Sequence, residues 1–210
     1  NRRQTEKYVH EELGIACYII CIFEMEREAS KGTVTIDQQT FVDLGCGNGF
    51  LVNLLASEGY HGYGIDLMER DVWGMYDRTV VDLRAMPFNP SQASFPGTKL
   101  IIGNHADELT PWVPVIAARS GPETSFVNLA CCFWSFDGRF PTNGPEGKYA
   151  VYLKFLARMS ETCGYKVDVD WMRIPSTKNV VQVGRTRTFP VESTEDHKAV
   201  LAAIDKMLAG

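Results

Sequence analysis

The stretch FVDLGCGNGF (residues 41–50) decides the fold of this chain. It opens with a short apolar run that contains Asp43, and Gly45, Gly47 and Gly49 follow directly. The next segment, FLVNLLASEG, has the composition of a helix that stops at Gly59. A buried strand, a glycine-rich loop and a helix are therefore predicted, with the loop backbone free to approach a ligand closely.

Strand-like and helix-like segments alternate along most of the chain, which predicts a parallel sheet with helices on both faces. The last two strand-like runs, YKVDVDWMRI and NVVQVGRT, are joined by only a few residues. Such a short connection allows only an antiparallel pair. The sequence thus predicts an α/β fold with a doubly wound, mostly parallel seven-stranded sheet and one antiparallel strand.

One domain over residues 1–210 is expected, because 210 residues with 45% hydrophobic content suffice for a single core. Its ends are predicted to be an N-terminal helix over about 5–30 and a C-terminal helix over about 193–208. Between them, Thr110 is predicted to cap a helix that starts at Pro111, and SFVNLACCFW (residues 125–134) to form one strand. Because the chain begins at Asn1, we expect a fragment of a longer protein.

The bulk properties constrain the function only loosely. The net charge of −5 argues weakly against nucleic acid, and only a local basic patch could reverse that. The longest apolar run, Ile15 to Phe23, is too short to span a bilayer, so no membrane partner is expected. The six cysteines form no CxxC pair and are interpreted as buried hydrophobes of a cytoplasmic protein. Cys131, Cys132 and His105 lack zinc-ligand spacing, and no metal is predicted.

The ligand of the glycine loop follows from its charge. A dinucleotide fingerprint needs a sixth-position glycine, where this chain has Phe50, and a carboxylate such as Asp43 would repel a pyrophosphate. S-adenosylmethionine has no phosphate and carries an ammonium and a sulfonium group. Asp66, about 20 residues on at the end of the second strand, is placed for the ribose diol. Cofactor contacts are predicted for Asp43, Gly45, Cys46, Gly47, Asn48, Asp66, Asp82 (to adenine) and Asn104.

A second group of polar residues follows the fourth strand. In this architecture ligands meet the carboxyl ends of the strands, so Asn104, His105, Asp107 and Glu108 lie where a methyl acceptor should bind. Asp107 and Glu108 are expected to be loop residues in front of the helix at Thr110. A packed, hydrogen-bonded His105 and an Asp107 that only trims the loop are equally compatible with the sequence.

Five segments together resemble the eukaryotic tRNA (uracil-2′-O-)-methyltransferase family, one of the class I S-adenosylmethionine-dependent methyltransferases. They are FVDLGCGNG, GIDLMERDVWGMY, IGNHADELTPWVPVIAARS, NLACCFWSFDGR and RIPSTKNVVQVGRTRTFP. The resemblance implies methylation of the ribose of uridine 44 in serine tRNA, with tRNA as partner. It also implies further domains for RNA docking that this chain lacks.

With that substrate, the residues divide into two groups. Asp107 or His105 would accept the hydroxyl proton, and Arg173 or Lys178 would stabilise the developing alkoxide. The Lys-Asp-Lys-Glu set of many ribose methyltransferases is not complete here, which leaves the base open. The residues predicted to contact RNA are Lys7, Arg139, Arg173, Lys178, Arg185 and Arg187. Two alternatives are a non-catalytic module that binds RNA or a protein partner, and a small-molecule O-methyltransferase.

Overall fold

The computed structural model describes residues 2–141 and 144–209, with side chains from residue 5 onward. The strands are β1 (Phe41–Leu44), β2 (Gly62–Asp66), β3 (Asp82–Ala85), β4 (Leu100–Asn104), β5 (Ser125–Leu129), β6 (Trp134–Ser135), β7 (Gly138–Arg139), β8 (Tyr165–Trp171) and β9 (Val180–Arg187). The helices are α1 (Arg2–Ala29), α2 (Phe50–Ser57), α3 (Val113–Ser120), α4 (Lys148–Thr162) and α5 (Thr194–Ala209).

Seven strands form one sheet in the order β3-β2-β1-β4-β5-β9-β8. The pairs among β1 to β5 are parallel, whereas β9 is antiparallel to both of its neighbours, β5 and β8. The predicted seven-stranded sheet with one antiparallel strand is therefore confirmed. The remaining two strands, β6 and β7, form a small separate hairpin.

Helices cover both faces of the sheet. On one face, α1 and α2 bury Ile15, Ile19 and Leu55 in one apolar cluster with residues of β1, β4 and β9. On the other face, α3 and α5 pack against the sheet in a second cluster that includes Ile116 and Ile204. Because both faces are covered, the free polar groups of the connecting loops are confined to the two edges of the sheet.

The carboxyl edge of the sheet brings together the ends of the parallel strands and the connection from β8 to β9. The glycine loop follows β1 there, Asp66 ends β2, Asn104 ends β4, and Ala130 follows β5. The connection from β8 to β9, residues 172–179, returns at the same edge because β9 runs antiparallel. Residues that are distant in sequence therefore meet at this edge.

Three local predictions differ from the structure. The segment from Asp107 to Trp112 is a 3₁₀ helix, and α3 starts only at Val113, so Thr110 caps nothing. In an α-helix that started at Pro111, residue 114 would have to donate its N–H to the Thr110 carbonyl, and Pro114 has no N–H. The strand predicted over residues 125–134 ends at Leu129, and the chain then turns into the β6–β7 hairpin, which was not predicted.

Candidate active site

Backbone conformation shapes the loop after β1. Gly45, Gly47 and Gly49 have φ values of 72°, 56° and 77°, a region that L side chains rarely adopt. A Cβ on Gly49 would also lie 2.5 Å from a methyl carbon of Leu83. The start of the loop is hydrogen-bonded to β2, because the N–H groups of Gly45 and Cys46 both donate to the Ile65 carbonyl, at 2.8 and 3.0 Å. The loop is thus held beside the end of β2.

Asp66 is fixed against that loop. One carboxylate oxygen accepts a hydrogen bond from the Gly47 N–H at 2.9 Å, and the other accepts from the Met68 N–H at 3.3 Å. The Arg70 guanidinium lies 3.4 Å from the second oxygen. The Trp73 indole N–H donates to the Gly47 carbonyl at 2.9 Å and secures the loop from the other side. The carboxylate is therefore pre-positioned and needs no rearrangement to meet a ligand.

A cavity of about 330 Å³ opens in front of Asp66. Its walls combine the glycine loop, the residues that follow β2 and β3, and the turn after β4. The apolar part is formed by Leu67, Met86 and Phe88, which offer a surface for a flat ring. The polar part includes Asp66 and Asp107. An adenosine-sized ligand fits this combination of apolar wall and oriented carboxylate.

Asp82 does not line this cavity, so the structure does not bring it together with Asp66, and its adenine contact stays a prediction. It is the first residue of β3 and pairs in register with Tyr63, whereas Ala85 at the other end pairs with Asp66. Three strand residues span about 10 Å, so Asp82 sits toward the opposite edge of the sheet. There its carboxylate forms a 2.6 Å ion pair with Arg84.

Two buried carboxylates lie behind the glycine loop. Asp43, in the middle of β1, is 2% exposed, and its Oδ1 has no hydrogen-bond partner among the described residues. Burial raises the pKa of Asp43 well above its usual range, and the nearby Glu12 and Asp66 carboxylates raise it further. An unpaired acid in this position favours a ligand that brings a positive charge.

Glu12 comes from α1 and is also 2% exposed. Both of its oxygens accept from the Asn104 side-chain amide, at 3.0 and 3.2 Å. Burial raises the pKa of Glu12 to about 7, and the Glu11 carboxylate adds to this, while the Asn104 hydrogen bond opposes it. Asn104 is 8% exposed. Its hydrogen bonds to Glu12 fix its side chain against α1, between the cofactor loop and the turn after β4.

The carboxylates and the tyrosine that α1 brings to the site were not predicted from the sequence. Besides Glu12, the helix supplies Glu11, which lies 3.2 Å from His105 Nε2, and Tyr8, whose hydroxyl donates to Asn48 Oδ1 at 3.2 Å. The same Asn48 oxygen accepts from the N–H of Phe50 at 3.0 Å, at the start of α2. A signal existed, because Glu12 falls at helical spacing on the apolar stripe that continues through Ile15, Ala16 and Ile19.

The turn after β4 has an unusual backbone. His105 and Asp107 have φ values of 52° and 45°, and such left-handed conformations in non-glycine residues cluster at functional sites. Asp107 starts the 3₁₀ helix and is not a free loop residue, contrary to prediction, yet it is exposed and lines the cavity. His105 is held by Glu11 at the same cavity wall.

Next to Asp107 lie the residues that follow β5. Cys131 Sγ is 3.8 Å from Asp107 Oδ1, and the Lys178 ammonium donates to the Cys131 carbonyl oxygen. Ligand atoms of Asp107, Cys131 and Cys132 lie within 4.8 Å of one another. Three ligands are one short of a closed structural zinc site, and a lysine ammonium already occupies this corner. The prediction that the chain needs no metal stays a prediction.

The predicted basic residues separate into two sets. Lys178 and the exposed Arg173 lie in the β8–β9 connection at the carboxyl edge, and Arg139 stacks over the Trp134 ring at 3.9 Å in the β6–β7 hairpin. Lys7 is exposed on α1, one turn before Glu11. These four remain candidates for contacts with a polyanion.

Arg187 and Arg185 belong to the other set, and the prediction that they contact RNA at the site does not agree with the structure. Arg187, the last residue of β9, donates to four backbone carbonyl oxygens, including those of Gly121 and Cys163, and stacks 3.7 Å from the Tyr165 ring. It is therefore a structural residue. Arg185 is exposed, but it lies near the amino edge of the sheet and 3.7 Å from Asp168.

Comparison with known proteins gives three results. Residues 1–85 match the family described as "Predicted AdoMet-dependent methyltransferase". The chain is 46% identical over 197 residues to "Probable tRNA (uracil-O(2)-)-methyltransferase" of Homo sapiens, which covers 92% of this chain and 26% of that protein. It is 33% identical to tRNA (uracil-O(2)-)-methyltransferase of Schizosaccharomyces pombe, over 85% of this chain and 41% of that protein.

The fold has a counterpart among solved structures. Magnesium protoporphyrin IX methyltransferase from Synechocystis PCC 6803, solved with S-adenosylhomocysteine, superposes with a TM-score of 0.51 at 14% identity and covers 89% of this chain and 88% of that one. The match over residues 1–85 includes Asp43, the glycine loop and Asp66, which confirms S-adenosylmethionine as the cofactor. The chain spans about a quarter of its human relative's length. None of the described helices is long and apolar enough to cross a membrane.

Proposed function

We propose that this chain, a member of the tRNA (uracil-O(2)-)-methyltransferase family with a class I methyltransferase fold, methylates the ribose 2′-oxygen of a uridine in tRNA. Uridine 44 of serine tRNA is the proposed target, and residues 1–210 act as one methyltransferase domain. The observation that carries the proposal is the position of Asp107. It lines the cofactor cavity and also contacts Cys131, whose carbonyl oxygen accepts from Lys178; Asp107, Cys131 and Lys178 form the acceptor corner.

The cofactor supplies an electrophilic methyl group on a sulfonium, so positioning of the acceptor contributes much of the rate. Asp107 accepts the proton of the 2′-hydroxyl as the oxygen forms its bond to the methyl carbon and the methyl–sulfur bond breaks. The Lys178 ammonium, beside the Cys131 carbonyl, stabilises the negative charge that develops on the oxygen. His105 is a positioning residue, because its ring is held by Glu11.

The acceptor is proposed to reach this corner along the basic residues of the carboxyl edge, Lys7, Arg139, Arg173 and Lys178. Segments of the full-length protein outside this chain are proposed to help dock the tRNA. All six cysteines carry free thiols, which supports the reducing cytoplasm as the proposed location. The interpretation of all six as buried hydrophobes is wrong, because only Cys46 and Cys163 are buried and Cys17 and Cys21 are exposed.

Transfer of labelled methyl from S-adenosylmethionine to unmodified serine tRNA, followed by digestion to nucleosides, tests the proposal. Label is expected in 2′-O-methyluridine, and a serine tRNA with cytidine at position 44 should receive none. Label in a base, or in a small molecule added in place of tRNA, would contradict the proposed acceptor. Cofactor binding without any transfer would favour the non-catalytic alternative.

A further inference from the structure

Two lysines from different parts of the chain converge on one aromatic ring next to the acceptor corner. Lys148 starts α4 and Lys178 lies between β8 and β9, and their ammonium nitrogens are 4.8 and 4.7 Å from the centroid of the Phe133 ring. Phe133 follows directly on Cys131 and Cys132, and Lys178 contacts both its ring and the Cys131 carbonyl, so the ring lies next to the proposed catalytic corner.

The ring is held in a fixed position. Phe133 packs edge-on against the buried Tyr152 at 5.4 Å, and the Tyr152 hydroxyl accepts from the N–H of Trp134 at 3.2 Å. A second tyrosine on α4, Tyr149, accepts from the N–H of Val180 at 3.3 Å and so ties the helix to the start of β9. The two lysines are therefore presented on a rigid support and not on a free loop.

The described residues place no carboxylate against the charges on this support. Neither Lys148 nor Lys178 forms an ion pair with a carboxylate in the described part of the chain, and the Lys178 partner is a carbonyl oxygen. The next ring, Trp134, also carries a cation, Arg139, at 3.9 Å. Like charges that converge on one small surface repel each other unless an anion lies between them. Cations interleaved with aromatic faces are typical of surfaces that bind single-stranded nucleic acid.

We propose that Lys148 and Lys178 bind a backbone phosphate of the nucleotide that carries the acceptor ribose, beside the Phe133 ring. This inference rests on the proposed function, and it assigns a role to Lys148, which takes no part in the chemistry. Lys178 lies between the acceptor corner and the proposed phosphate site. Its ammonium contacts the Cys131 carbonyl beside Asp107 and also the Phe133 ring. A phosphate held here would place the adjoining ribose toward the Asp107 side of Lys178.

Salt dependence of tRNA binding separates this role from a purely structural one. Binding of serine tRNA to the protein would be measured between about 50 and 200 mM salt, where each phosphate contact contributes to the slope of log affinity against log salt. In Lys148→Gln the magnitude of this salt slope should fall by about one, and binding should weaken to a similar extent for tRNAs of any sequence. Lys148→Arg should restore it. Lys206→Gln, which removes the same charge from an exposed site on α5, should leave the slope unchanged.

The outcomes distinguish this site from the proposed function. The affinity for S-adenosylhomocysteine should be the same in all four proteins, which reports on the fold. If wild-type protein binds and methylates serine tRNA but Lys148→Gln keeps the wild-type slope, the phosphate site is wrong and the function stands. If wild-type protein neither binds nor methylates serine tRNA, both are wrong.

Discussion

The cofactor half and the acceptor half of the carboxyl edge carry opposite charges. Around the glycine loop lie the carboxylates of Asp43, Glu12 and Asp66, the first two almost fully buried. Beside β5 and β9 lie the ammonium groups of Lys148 and Lys178 without carboxylate partners in the described chain. Each half thus carries the charge that attracts its ligand. Carboxylates lie near the cationic cofactor, and lysines lie near the polyanion. A net charge of −5 conceals this division.

The largest expected effect lies where the two halves meet, at Asp107. Asp107→Ala should lower turnover by roughly 100-fold or more, the scale of a lost general base, and change cofactor affinity only a few-fold. Single-turnover methyl transfer and calorimetry with S-adenosylhomocysteine measure the two quantities. Asp196→Asn, an exposed acid on α5, is the matched control. Unchanged turnover would remove Asp107 from the mechanism.

Asp43 tests the cofactor half alone. Asp43→Asn keeps the shape of the side chain and removes the charge that a cationic ligand would neutralise. Loss of one partner of a buried charge pair costs at least about 2 kcal/mol, so affinity for S-adenosylmethionine should fall by about 30-fold. Binding of tRNA should stay within twofold. Normal cofactor affinity in calorimetry would contradict the interpretation of Asp43 as an electrostatic partner.

The pKa of Glu12 makes cofactor binding depend on pH. Because burial raises this pKa to about 7, a cationic ligand must displace a proton from Glu12 at lower pH. The affinity for S-adenosylmethionine should therefore fall about tenfold between pH 8 and pH 6. Glu12→Gln has no such proton to lose and should show a smaller change. Equal pH profiles for the two proteins would exclude this coupling.

The same carboxyl group should destabilise the protein when no cofactor is bound. Its pKa is about 7 in the folded protein against an ordinary 4.5, so its favourable contribution is present below pH 4.5 and is lost as the pH rises through 7. At pH 8, Glu12→Gln should raise the free energy of unfolding by about 1 kcal/mol, since the amide still accepts from Asn104. Urea unfolding at pH 8 and pH 5 measures this, and a gain that is equal at both values would point to packing instead.

Sequence patterns predicted the cofactor half better than the acceptor half, and the cause is locality. The strand, the glycine spacing and Asp66 are read within one β-α-β unit, where backbone conformation depends on neighbours in sequence. The position of Asp82 away from the cavity was not predicted, because the start and end of a four-residue strand cannot be told apart by composition.

Long-range packing decided the remaining differences. Glu11 and Glu12 enter the site only because α1 lies across the turn after β4. The apolar stripe of α1 indicates that Glu12 is buried, but no local pattern reveals which residues it is buried against. Arg185 and Arg187 share a basic stretch with Lys178, but β9 carries them about 17 and 24 Å beyond its first residue, Val180, toward the amino edge of the sheet. The basic residues of the sequence therefore indicated the kind of ligand, a polyanion, but not which of these residues lie where it binds.

The smallest effect is expected at Arg185. This residue tests whether tRNA contacts are restricted to the carboxyl edge of the sheet. It is exposed and far from the carboxyl edge, so Arg185→Gln should change serine tRNA affinity by less than about twofold. Arg173→Gln, the same substitution at the carboxyl edge, should weaken binding several-fold in the same filter-binding assay. Equal losses would mean that the tRNA extends over the amino edge as well. The division of charge at the carboxyl edge would then describe only the end of a longer RNA path, and the phosphate contacts of β9 would have to be counted with those of Lys148 and Lys178.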